Sequence, residues 1–215
     1  MHKIYITGIA GFIGFHLAEK LSMEGYEVHG MDNFNDYYDV KLKHDRAERL
    51  FEKFGIKVYN HDIEIIPWMQ PLENFDAVIH LAAHAGVRHS LENPQMYIDT
   101  NITGTQRLIN ACEHYEIPVI YASSSTVDSD HLNPYAWSKY VNEKQFESSS
   151  LVSAGLRFYT VYGEWGRPDM ALGLFADAMS QGKSIDVYNH GDICLLYTSD
   201  AADDLLCVDL GGRRI

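Results

Sequence analysis

Positive charge is scarce in this chain. Its 215 residues carry 17 Lys and Arg against 30 Asp and Glu, a formal net charge of −13. A nucleic-acid surface needs clustered cations, so that class is set aside. Cysteine is nearly missing. The three present, Cys112, Cys194 and Cys207, have no metal-ligand spacing, and the eleven histidines form neither an HExxH nor a paired Cys/His set. No metal is therefore expected. Long apolar runs are lacking too, and none reaches the length of a membrane span. The opening "MHKIYITG" enters a strand pattern at once and leaves no room for a signal peptide. A soluble, cytoplasmic chain without nucleic-acid or membrane partners is the expectation.

What the chain does have is enough apolar material for a core, at 46% of its residues. Up to about residue 160, short β-branched runs alternate with longer amphipathic stretches. "KIYIT", "YEVHGMD", "IKVYN", "DAVIHLA", "PVIYASS" and "AGLRFYT" read as strands. "FIGFHLAEKLSMEG", a charged stretch over 39–53 and "NPQMYIDTNITGTQRLINACEHYE" read as helices, the first stopping at Gly25. Strands alternating with helices predict an α/β fold whose parallel sheet is covered on both faces.

"TGIAGFIG" places Gly8, Gly11 and Gly14 directly after the first strand and at the mouth of the first helix. A turn this tight needs residues without Cβ, so that backbone N–H groups can approach a pyrophosphate. The second strand ends on Asp32, whose carboxylate can accept hydrogen bonds from an adenosine ribose and would repel a 2′-phosphate. A lone glycine pattern could be a structural turn that binds nothing. Its placement, with an acid at the next strand end, points to NAD rather than NADP.

Three Tyr-x-x-x-Lys pairs occur: Tyr37/Lys41, Tyr135/Lys139 and Tyr140/Lys144. Removing a hydroxyl proton during hydride transfer needs a base, and a free phenol with a pKa near 10 is hardly ionised at neutral pH. An ammonium group one helical turn away stabilises the phenolate. Only Tyr135 sits at the mouth of a helix, behind the cap Asn133 and Pro134, close after a strand that delivers Ser123, Ser124 and Ser125 to the carboxyl edge. Tyr37/Lys41 lies in a charged segment where a solvated face is the simpler reading. Tyr140 and Lys144 are rotated away from the mouth.

With these residues the chain resembles the extended short-chain dehydrogenase/reductase family, specifically its nucleotide-sugar epimerases, and most of all the UDP-glucuronate 4-epimerases. The resemblance runs from residue 3 to 193 and is carried by "DNFNDYYDVKLKHDR", "HLAAHAGVRHSLENP", "GLRFYTVYGEWGRPDMAL" and "IDVYNHGD". It implies a Rossmann-like doubly wound parallel sheet, with the start of a small substrate-binding subdomain. It also implies NAD as the cofactor and inversion at C4 of a UDP-sugar, UDP-glucuronate to UDP-galacturonate, through a transient 4-keto intermediate. Tyr135 would be the base, Lys139 would tune it and hold the nicotinamide ribose, and Ser124 or Ser125 would bond the sugar oxygen. Gly8, Gly11, Phe12, Ile13 and Gly14 would face the pyrophosphate, and Asp32, Asn33 and Asn35 the adenosine ribose. Asp62 and Ile63 would lie at the adenine. Leu81, Ala82 and Ala83 would pass under the cofactor, and Asn101 would face the active site. Arg88, Thr160 and Arg167 would recognise the carboxylate or the diphosphate. Sister dehydratases and decarboxylases resemble a pattern with acidic residues after the strand-end Ser/Thr. Here Ser125 and Thr126 stand there, and neither is an acid.

The chain also departs from the family. "DSDHL" replaces the usual Tyr-Gly and its extension between Ser125 and Tyr135, and "FESSSLVSA" is shortened. The expected organisation is a cofactor domain over 1–160, an incomplete nucleotide-sugar subdomain over 161–193, and a non-native tail over 194–215. That tail, "CLLYTSDAADDLLCVDLGGRRI", resembles a sequencing adapter read in frame. An inert NAD-binding fragment is the alternative reading, and a homodimer through helices near 93–115 and 134–149 is the implied assembly.

Overall fold

The computed structural model describes residues 2–65, 72–128 and 133–185. Its centre is a parallel sheet built from β1 (Lys3–Thr7), β2 (Glu27–Asp32), β3 (Val58–Asn60), β4 (Ala77–His80), β5 (Val119–Ser124) and β6 (Ser153–Phe158), in the order β3-β2-β1-β4-β5-β6. The register sets Tyr5 opposite His29 and Val78, and Ile79 opposite Ile120. The order reverses direction between β1 and β4. In such sheets that is where the strand ends open a crevice.

Alternation along β1 divides its side chains between the two faces. Tyr5 joins a cluster with Leu108, Ile109, Cys112, Val119 and Phe146, while Ile4 and Ile6 are buried on the other side. Helices α1 (Phe12–Met23) and α2 (Val40–Phe54) pack together, as do α5 (Thr105–Tyr115) and α6 (Pro134–Ser148). The Tyr121 ring stacks on Phe146 with centroids 3.9 Å apart and fixes α6 to β5.

The six expected strands and the helices near 39–53 and 170–181 are present, with ends shifted by a few residues. The long helix near 93–115 is not uniform. It comprises α4 (Pro94–Tyr97), a π-helical stretch Ile98–Gly104 and then α5, preceded by the short α3 (Val87–Glu92). Among the described residues no helix is long and apolar enough to cross a membrane.

The chain divides into two compact units, 1–156 and 157–215. The second holds α7 (Ala171–Ser180). The segment "SIDVYN" passes out of the described residues after 185, and the expected non-native tail lies wholly beyond them.

Candidate active site

The glycine turn is held shut by backbone. Gly8 adopts φ +74°, and its N–H donates to the Met31 carbonyl at 2.8 Å. A Cβ on Gly14 would stand 2.3 Å from the Gly8 carbonyl oxygen, and one on Gly8 would stand 2.8 Å from the Ala82 nitrogen. The turn thus touches the loop after β4 without any side chain between them. No acidic residue lies in the first turn of α1, and no side chain caps its start at Gly11. The opening N–H groups of a helix lack intrahelical partners, so the end of α1 that includes Phe12 and Ile13 favours an anion.

Asp32, at the end of β2, is only 7% exposed. Burial pushes its carboxyl pKa up, while the charge of Lys43, the N–H groups of Phe34 and Ala10, and the charge of Arg46 pull it back down. The Phe34 N–H donates to Oδ1 at 2.9 Å, which bends the chain so that Phe34 adopts φ +50° and stacks on His44. Asn33 donates through Nδ2 to Asp62 Oδ2 at 2.9 Å, so the two expected adenosine-side residues meet. Asn35 accepts from Lys43 Nζ at 2.7 Å. Ile63 is buried beside Gly104.

At the end of β4, His80 bridges two hydroxyls: Nδ1 to Thr7 Oγ1 at 2.7 Å and Nε2 to Thr105 Oγ1 at 2.9 Å. Thr7 Oγ1 also accepts from the Leu81 and Ala82 N–H groups, so its own proton goes to Nδ1 and the His80 proton resides on Nε2. Burial holds the His80 pKa down at about 3, with the Lys139 charge adding to the effect. This neutral imidazole fixes the backbone of Leu81 and Ala82, with Ala83 following, where the cofactor strip was expected. His80, Lys43 and Arg46 are site-supporting groups that the motif reading missed; their burial has no signature in the local sequence.

Asn133 caps α6 as expected, its Oδ1 accepting the Ala136 N–H at 2.8 Å, and Pro134 opens the helix. One turn apart on this helix, Tyr135 is half-buried and Lys139 is 5% exposed. The Tyr135 ring meets the buried Tyr97 edge to face, with centroids 6.2 Å apart. Lys139 donates from Nζ to the Ala122 carbonyl of β5 at 2.9 Å, and burial brings its pKa down to about 8. Ser124 Oγ accepts twice from Thr126, from N at 3.2 Å and from Oγ1 at 2.9 Å. With both lone pairs engaged, the Ser124 hydroxyl is left as a donor. Ser125 follows in a short 3₁₀ turn, partly exposed.

Asn101 is fully buried in the π-helical stretch. Its Nδ2 donates to Ser138 Oγ at 2.9 Å and to the His84 carbonyl at 3.0 Å, and its Oδ1 accepts the His84 N–H at 2.8 Å. Ser138 passes the link on to the Tyr135 carbonyl at 2.8 Å. Arg88 is exposed on α3, which packs on α6. Thr160 and Arg167 belong to the second unit, where Arg167 donates from Nε and Nη2 to the Asp169 carboxylate at 3.0 and 2.5 Å. The other two tyrosine pairs are not built this way. Lys41 pairs with Asp45 on an exposed face, and Lys144 lies over the Tyr140 ring and pairs with Glu147 in solvent.

This turn, acid and tyrosine helix are matched by known proteins. The model of the NAD dependent epimerase/dehydratase family matches residues 4–208. The chain belongs to that family. Among family relatives it is 43% identical to protein CapI of Staphylococcus aureus over 91% of this chain and 65% of that protein. It is 38% identical to UDP-glucuronate 4-epimerase 4 of Arabidopsis thaliana, covering 91% of this chain and 50% of that one. The crystal structure of UDP-glucuronic acid 4-epimerase from Bacillus cereus with UDP-glucuronic acid and NAD superposes with a TM-score of 0.79 at 32% identity, over 84% of this chain and 64% of that chain. The chain thus spans between half and two thirds of the length of these three. Its own residues fit the family's dinucleotide: a turn no Cβ can enter, a helix start without a side-chain cap, and a buried acid at the next strand end.

Proposed function

We propose that this chain is the cofactor-binding part of an NAD-dependent epimerase that inverts C4 of a UDP-sugar, UDP-glucuronate being the substrate. The observation that carries the reading is the buried Lys139 ammonium, one helical turn from Tyr135 and hydrogen-bonded to the last turn of β5. When bound, NAD accepts a hydride from C4 and later returns it. The chain's residues do the rest. Gly8, Gly11 and the start of α1 would hold the pyrophosphate, and Asp32, Asn33 and Asn35 the adenosine ribose.

Tyr135 would take the proton of the sugar 4-hydroxyl and give it back. Lys139, with a pKa of about 8, is mostly charged at pH 7, and its field favours the phenolate. The Ser124 hydroxyl, limited to donation, would orient the same sugar oxygen. Arg88, Thr160 and Arg167 remain the proposed grip on the carboxylate or diphosphate; Arg167 would exchange Asp169 for that ligand. The hydroxyls of Ser125 and Thr126 suit a site that cradles a carboxylate without repelling it.

The test is conversion of UDP-glucuronate to UDP-galacturonate by a chain extended to the length of its relatives, lost in Tyr135→Phe. Turnover that survives this substitution would remove the tyrosine from its role. The share of its relatives that this chain covers favours a second reading for the 215-residue product itself, as an NAD binder with little or no turnover. Epimerisation by it would overturn that reading.

A further inference from the structure

The argument from Asp32 to NAD treats the acid as the charge that a 2′-phosphate would meet. The fold places two cations behind it. Lys43 and Arg46 lie three residues apart on α2, 4% and 0% exposed, both turned inward while their neighbours Lys41 and Asp45 pair in solvent. Lys43 Nζ donates to the Asn35 carbonyl at 2.8 Å and to Asn35 Oδ1 at 2.7 Å, which fixes it under the loop that follows Asp32. Arg46 Nη1 donates to the Ala10 carbonyl at 2.9 Å, inside the glycine turn, and to the Tyr38 hydroxyl at 2.7 Å. Lys43 is the foremost charge acting on the Asp32 carboxyl, with Arg46 behind it, and Asp62 stands on the far side of Asn33. Two buried cations against one buried carboxylate is a surplus of positive charge at the place where a ribose 2′-substituent would sit.

We propose that Lys43, backed by Arg46, forms a latent 2′-phosphate site that the Asp32 carboxylate alone keeps closed. The inference rests on the reading of this turn as a dinucleotide site. It differs from that reading in what it says about specificity: discrimination against NADP depends on one side chain, and the groups that would accept the phosphate are already built. A phosphate monoester needs cations held at fixed positions, and both side chains are held by hydrogen bonds to the backbone. The Asp32 charge is partly neutralised by Lys43, so removing Lys43 should sharpen the bias against NADP, and removing Asp32 should reverse it.

The experiment measures Kd for NAD and for NADP by titration calorimetry on the 215-residue chain and three variants. In Asp32→Ser, the ratio of Kd for NADP to Kd for NAD should fall on the order of 100-fold, the size expected when a repelling charge is removed near two retained cations. In the double variant Asp32→Ser with Lys43→Met, most of that fall should be lost. In Lys43→Met alone, which tests the idea even if Asp32→Ser does not fold, the ratio should rise on the order of tenfold. A ratio unmoved in Asp32→Ser, a fall that persists without Lys43, or a ratio unmoved in Lys43→Met overturns the proposal. Failure of the unsubstituted chain to bind NAD at all would instead strike the dinucleotide reading beneath it.

Discussion

Asn142 donates from its side-chain Nδ2 to the main-chain oxygen of Asn101 at 2.6 Å, joining the tyrosine-bearing helix to the π-helical stretch. Where a helix ladder changes its step, carbonyls need donors from outside. Helix α6 supplies two of them, Asn142 to Asn101 and Gln145 to Ile102 at 3.1 Å. The same face of α6 carries Ser138, which meets the Asn101 side chain. The three residues form a seam that sets α6 against the helix beside it.

Breaking this seam should therefore have graded costs. Asn142→Leu leaves the buried Asn101 carbonyl without that donor, and an unsatisfied buried acceptor costs about 1–3 kcal/mol. Ser138→Ala should cost less, because Asn101 Nδ2 keeps its bond to the His84 carbonyl. Urea unfolding of both variants would check the order; an Asn142→Leu variant as stable as the parent would show that the seam is not used.

A methyl group at Gly14 sets two effects against each other. Alanine is favoured over glycine inside a helix by about 1 kcal/mol. Against that, the new Cβ would stand 2.3 Å from the Gly8 carbonyl oxygen and 2.9 Å from the Ile9 Cα, both backbone atoms that cannot rotate aside. Overpacking of this kind costs about 1–3 kcal/mol, and here it also prises open the proposed pyrophosphate turn. Gly14→Ala should lower the unfolding midpoint and weaken NAD binding together. A midpoint that rises would mean helix propensity has won.

Much of this was legible in the primary structure, and the reason is physical. Hydrophobic period announces strands and helices, as in Ile4 and Ile6 alternating with Tyr5, and capping chemistry announced Asn133 and Pro134. The acid at the end of β2 and its neighbour Asn33 were found by position alone. What stayed hidden depends on contacts between distant segments. The α2 stretch is rich in charge and read as solvated, which is right for Lys41 and wrong for Lys43 and Arg46. Its two faces have the same composition, and only packing against the glycine turn tells them apart. The π-helical stretch was hidden too, since its carbonyls are satisfied by side chains some forty residues away.

The last prediction concerns Lys139 and pH. Burial lowers its pKa in the folded chain from 10.5 to about 8. Between these two values the unfolded chain binds more protons than the folded one, so stability rises as pH climbs from about 8 to about 10.5. Below that window, keeping the buried ammonium charged costs about 3 kcal/mol. Lys139→Met removes this cost, and it also removes the bond to the Ala122 carbonyl, a loss of about 1–2 kcal/mol that does not depend on pH. At pH 7.5 the Met variant should then be the more stable by about 1–2 kcal/mol, and near pH 10.5 the less stable by a similar amount. Denaturant unfolding of the two proteins at both pH values decides it. A constant difference would mean that Lys139 is not held charged against its burial, and with it would go the field that the Tyr135 phenolate needs. The expected crossover would identify the ammonium as a group that destabilises the fold at working pH and is retained for the chemistry beside it.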